Sequence, residues 1–166
     1  MNTQTNTKSN FGAKGWLTIL VTGVMLYFYS SFCTDGLNVI VGNFSAAHGL
    51  DSAALLGLTT PAAWTGVVGA VIWALFVDKV GARTGILVTG ILGGISFLLY
   101  GVVSTAMGFF LVTALVNFVG VGFSTTAGYT LIANWFPLKK GLALGWATMG
   151  QNLASATFVP LFLLAM

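Results

Sequence analysis

The chain has 166 residues, of which 57% are hydrophobic and only 5% charged, against roughly 25% charged in an average soluble domain. Six lysines and arginines and three acids cannot cover a water-soluble fold, because the apolar remainder would form surface patches far above a few hundred Å². The cations are spread over the whole length, which excludes the basic patch of a nucleic-acid binder, and the single cysteine, Cys33, excludes an intrachain disulfide and a thiolate metal cluster.

Lipid is therefore the solvent, and each uncharged run can be measured against a hydrocarbon core that takes about 20 helical residues. Residues 1–15, rich in Asn, Thr and Gln, read as a polar tail. The run that follows is too long for a signal-peptide core of about 7 to 15 residues. It extends over 16–43, interrupted only by Asp35, and the polar stretch 45–52 with His48 and Asp51 closes it. A second crossing covers 52–77. Between Thr84 and Leu138 no charge occurs, and one helix of that length would reach about 80 Å, so the chain must turn back. The least apolar window is 104–108, which gives a third crossing over 84–103 and a fourth over 107–134. Pro137 stops the fourth, and 141–166 makes the fifth. The expected fold is all-α and polytopic, with 16–166 forming one transmembrane domain.

The cations divide sharply over this map. Lys8 and Lys14 precede the first crossing, Lys79 and Arg83 join the second to the third, and Lys139 and Lys140 join the fourth to the fifth, while the other two connections carry none. By the positive-inside rule the N-terminus is cytoplasmic. Small residues at helical spacing mark expected packing faces: Ala62, Gly66, Ala70 and Ala74, then Gly90 and Gly94, then Gly120, Ser124 and Gly128, and finally Gly141 and Gly145.

Few polar side chains lie at crossing depth. A charged Asp35 costs about 2.5–3.5 kcal/mol there, so it needs a partner, a proton or a water-filled vestibule. Asn38, three residues on, shares its helical face. Asn117 and Ser124 in the fourth crossing and Gln151 and Asn152 in the fifth complete the set, each also readable as an interhelical hydrogen bond. One histidine and three acids, with Asp51 and Asp78 in connections at opposite ends, offer neither a metal site nor a catalytic dyad. No Gly-Lys-Ser/Thr phosphate loop is present. No enzyme activity and no cofactor are expected.

Two segments carry a family resemblance. In 74–83, Asp78, Lys79, Gly81 and Arg83 resemble the loop signature of the major facilitator superfamily: Gly, three residues, Asp, Arg or Lys, any residue, Gly, two bases. Ala74 stands for its first glycine and Ala82 for one base. In 134–145, the Trp135-Phe136 pair, the basic turn Lys139-Lys140 and Gly141-x-Ala143-x-Gly145 are similar to the helix 4 to helix 5 junction of the monocarboxylate and oxalate:formate exchanger branch.

The resemblance implies a twelve-helix transporter in two six-helix halves, with its site between them near the midplane. This chain would supply five helices of the N-terminal half and be a fragment that works with a C-terminal half. It implies secondary active transport of a small organic anion such as a monocarboxylate, by proton symport or by antiport, through alternating access. Helices 1 and 4 line the cavity in that family, so Asp35, Asn38, Asn117, Ser124 and Asn152 form the expected substrate or proton pathway. Asp78, Lys79, Gly81 and Arg83 form the expected gating loop. The expected partners are the bilayer, the substrate and protons, and the expected location is the inner membrane. The alternative is a five-helix accessory protein that assembles through its small-residue faces.

Overall fold

The computed structural model describes residues 11–164; Lys8 and the end of the chain at Met166 lie outside them. Helices α1 (Ala13–Tyr29) and α2 (Asp35–His48) are joined by a π-helical turn, Ser30–Thr34, into one apolar rod of 36 residues. Then follow α3 (Ser52–Val80) and α4 (Ala82–Leu98), the latter ending in a short 3₁₀ turn, Leu99–Gly101. Next, α5 (Ala106–Val121) runs through a second π-helical segment, Gly122–Gly128, into α6 (Tyr129–Trp135), and α7 (Lys140–Leu164) completes the described chain. The described residues contain no strand. Five helical rods thus stand where five crossings were expected, with boundaries moved by a few residues, and among the described residues the first four are long and apolar enough to cross a membrane.

Turn chemistry sets those boundaries. Gly49, at φ 63°, ends the first rod, and the Leu50 amide reaches back to the Ser45 carbonyl at 3.1 Å, as in a Schellman cap. Asp51 then accepts the Ala53 and Ala54 amides at 3.2 and 3.1 Å, capping α3. The polar stretch 45–48 is helical rather than loop, because Ser45 bonds the Leu50 carbonyl and the His48 ring bonds the Phe44 carbonyl. At the other end of α3, Gly81 alone separates two helices at φ 85°, a conformation that favours glycine. Thr105 caps α5 through the Gly108 amide at 3.1 Å.

Apolar clusters at the two ends fix the alternation of the crossings. Ile19 and Leu26 pack with Ile132, Phe136, Ala143 and Ala147 at one end. Val41 and Phe44 pack with Leu55 and Phe109 at the other. The start of the first crossing therefore meets the fourth-to-fifth junction, and its end meets the start of the second. Lys139 lies over the Phe11 ring, 5.5 Å from its centroid. Lys14, Asp78, Lys79, Arg83, Lys139 and Lys140 thus gather at one end, and His48 and Asp51 at the other.

Of the expected small-residue stripes, the one on the fourth crossing lies at a helix contact, since a side chain at Gly120 would meet Cys33 and Tyr29, one at Gly128 would meet Thr22, and Ser124 is buried; the stripes on the other helices coincide with the packed faces only in part. On α3 the buried positions are Leu55, Ala62, Gly66, Gly69, Trp73 and Val77, while Ala70 is half-buried and Ala74 exposed. A strict four-residue stripe rotates about 40° per step around a helix of 3.6 residues per turn, so it leaves the interface that a mixed three-and-four spacing keeps. On α4, Gly90 faces the Phe123 ring, whereas a side chain at Gly94 would meet nothing within 4 Å. On α7 nothing lies within 4 Å of Gly141 or Gly145 either; the packed face runs through Ala143, Ala147, Gly150 and Ala154. Gly150 lies directly against the Gly23 backbone, so α1 and α7 cross with main chain on main chain.

Candidate substrate and proton pathway

The site begins with the extra residue in the π-helical turn. The Asp35 amide bonds the Ser30 carbonyl, five residues back, and Thr34 takes the off-helical angles φ −124°, ψ −84°. Thr34 Oγ1 donates to the Ser30 carbonyl at 2.8 Å and so supports the widened turn. Such single-turn π segments concentrate at functional sites. Here the turn brings the Ser30 hydroxyl beside the Asp35 side chain.

Asp35 Oδ2 accepts two hydroxyl hydrogen bonds, from Ser30 Oγ at 2.7 Å and from Ser155 Oγ at 2.5 Å. Ser155 belongs to α7, so the carboxylate ties the first crossing to the fifth. A second link runs between Tyr27 and Thr157, whose oxygens are 3.0 Å apart. The middle of the Ala13–His48 rod falls between Ser30 and Ser31, which puts Asp35 about 7 Å past it. Asp35 is therefore well within crossing depth.

Exposure decides what this seam can face. Thr34, Asn38, Asn152, Ser155 and Thr157 are exposed, and Asp35 and Tyr27 are half-buried. A strip of hydroxyls, amides and a carboxylate cannot be turned to hydrocarbon, where each unsatisfied group costs several kcal/mol. It requires water or other protein. The outer faces of α3 and α4 are the opposite case: Trp64, Val67, Val71, Leu87, Ile91 and Leu98 are more than half exposed, and all are apolar.

The other expected pathway residues lie inside the bundle. Asn117 is buried and donates to the Thr113 carbonyl at 2.9 Å, and Ser124 is buried and donates to the Gly120 carbonyl at 2.9 Å. Each bonds back to a carbonyl four residues earlier on its own crossing. The structure therefore brings Asp35 together with Ser30 and Ser155, and leaves Asn117 and Ser124 in the packed interior. Among the described residues no hydrogen bond joins Asn38 or Asn152 to Asp35. Nothing near Asp35 in sequence points to Ser155 as its partner. The available signal was the run of polar positions Gln151, Asn152, Ser155 and Thr157 along one otherwise apolar crossing.

Charge is arranged simply. The described lysines and the arginine all sit at one end, and no ion pair forms among the described residues. Asp78, Lys79, Gly81 and Arg83 are exposed. Asp78 stands in the last turn of α3 and Arg83 in the first turn of α4. Each is placed against its helix dipole, at a cost of about 0.3–1 kcal/mol, so helix stability does not account for either. A separate cavity of about 380 Å³ opens between the first, third and fourth crossings, walled by Phe28, Tyr29, Phe32, Phe97 and Phe123.

Among protein-family models, the one described as Major Facilitator Superfamily matches residues 20–166. No curated protein and no solved structure matches the chain.

Proposed function

Because the chain belongs to the major facilitator superfamily of membrane transporters for small solutes, we propose that it carries the proton-linked part of a transporter for a small organic anion, working by symport or exchange through alternating access. The Asp35 cluster is the observation that carries this reading. A carboxylate at crossing depth, with no base near it, is neutralised by a cation from solution, and the proton is the smallest.

Electrostatics then couples proton to cargo. A substrate carboxylate about 7 Å from an ionised Asp35 is disfavoured by about 2 kcal/mol at an effective dielectric of 20, which is about 30-fold in affinity. A proton on Asp35 removes that penalty, so anion and proton arrive together. The exposed amides of Asn38 and Asn152 flank the same strip and supply hydrogen bonds to water or substrate.

The N-terminus and the two basic junctions face the cytoplasm of a cell inner membrane. At that face, the dipole-opposed Asp78 and Arg83, with Lys79 and the one-residue hinge at Gly81, act as a gate whose charge contacts form in one conformation and release in the other. The organic-anion assignment rests on the resemblance of 134–145 to the monocarboxylate and oxalate:formate exchangers.

The test is Asp35→Asn in the full-length protein, reconstituted in vesicles and assayed with a panel of radiolabelled monocarboxylates. Accumulation driven by a pH gradient should fall at least tenfold, while exchange against preloaded substrate persists. Undiminished gradient-driven accumulation by the Asn variant would falsify the assignment.

A further inference from the structure

The carboxylate that would carry the proton is shared between two crossings, and its hydroxyl partner on α7 has a second place to put its hydrogen. Ser155 Oγ lies 2.5 Å from Asp35 Oδ2 and 3.3 Å from the Gln151 carbonyl of its own helix. We propose that Ser155 is a positioning residue that makes the fifth crossing respond to the charge of Asp35, an inference that rests on Asp35 being the proton carrier.

The proton balance is closed by groups already in place. With Asp35 ionised, Ser155 and Ser30 both donate to Oδ2, and the bond across the seam is charge-assisted. When a proton binds Oδ2, the Asp35 O–H donates to Ser155 Oγ, and the Ser155 hydrogen turns to the Gln151 carbonyl. No hydrogen is gained or lost beyond the one that bound. A bond to an ionised acceptor is roughly twice as strong as a neutral one. Of the two ties across this seam, the Tyr27–Thr157 bond is unaffected, while the Asp35–Ser155 bond is tight in the ionised state and slack in the protonated one.

The local surroundings leave Ser155 in control of this exchange. On the first crossing the other titratable groups near Asp35 are Tyr27, Tyr29 and Cys33, two phenols and a thiol. On α7 no titratable residue occurs between Gly141 and Leu164. On α3 the charged side chains, Asp78 and Lys79, lie at the far end, and α5 carries none. Below the seam, Gly23 and Gly150 touch through their backbones, a contact that no protonation alters. A change in the Asp35–Ser155 bond therefore acts on the part of α7 beyond that contact.

The test needs no substrate. The full chain in lipid vesicles is titrated by infrared difference spectroscopy, and the carbonyl band of protonated Asp35 is identified by its loss in Asp35→Asn. In Ser155→Ala the midpoint of the band should move by about one pH unit, the worth of one hydrogen bond to a charged group. Ser155→Thr, which keeps the hydroxyl, should titrate like the parent, and Ser155→Cys, a weaker donor that serves if the Ala variant does not assemble, should shift partway in the same direction. An unmoved midpoint in the Ala and Cys variants, or an equal shift in the Thr variant, overturns the role of Ser155 while leaving Asp35 as carrier. Absence of any titrating Asp35 band overturns both readings.

Discussion

The pairing of the first with the fifth crossing and that of the second with the fourth solve the same packing problem with different chemistry. Crossings two and four are joined by groups that do not titrate: Trp73 Nε1 donates to the Phe118 carbonyl at 2.9 Å and Thr65 Oγ1 to the Ala114 carbonyl at 2.6 Å. Gly69 lets the Phe118 main chain approach, and Gly122 lies under the Trp73 ring. That interface is a fixed wall. Crossings one and five also approach through glycine, at Gly23 and Gly150, but beyond that point they are held by hydrogen bonds among a carboxylate and hydroxyls. The bonds of one interface involve no titratable side chain and those of the other include a carboxylate, so on the proposed function the two pairs can differ in rigidity within a single bundle.

The largest effect is expected where backbone meets backbone. Gly150→Leu would place a branched side chain into the Gly23 main chain, and should abolish the folded, monodisperse species in size-exclusion chromatography. A well-folded Leu variant would mean that crossings one and five are not in main-chain contact. Trp73→Phe keeps an aromatic ring but removes the N–H and part of the ring volume, so it should cost about 1–2 kcal/mol, the sum of an interhelical hydrogen bond and a small cavity. The loss should be the same at every pH in thermal melts; a pH-dependent loss would erase the contrast between the two pairs. The smallest effect belongs to Ala74→Leu. Ala74 is exposed, so the substitution should change stability by less than about 0.5 kcal/mol. The same change at Ala62, fully buried, should cost several times more.

Much of the bundle was legible because hydrophobicity and turn chemistry are local. The uncharged runs gave the crossings, the window at 104–108 gave the reversal between the third and fourth, and Pro137 with Lys139 and Lys140 gave the last junction. The 74–83 and 134–145 segments pointed to the superfamily that the family model matches over 20–166. Helix rotation was not legible in the same way. A stripe such as Ala62, Gly66, Ala70 and Ala74 can be drawn from spacing, but which neighbours meet is decided by side chains on another helix, here Phe118 and Val121. The π-helical turns at Ser30–Thr34 and Gly122–Gly128 add a residue to each rod and turn everything beyond them to a new face, and no local composition announces them.

Asp35 shows where the two kinds of information divide. Its cost in hydrocarbon follows from sequence alone, since a charge inside an apolar run needs a partner wherever the helices go. That its partner is Ser155, 120 residues away, follows only from the packing of the first and fifth crossings about Gly23 and Gly150, and that Asn117 and Ser124 turn inward follows only from the packing of the fourth. Burial energy is a sum over residues and can be read along the chain. A hydrogen bond is a distance between two atoms, and only the tertiary structure sets it.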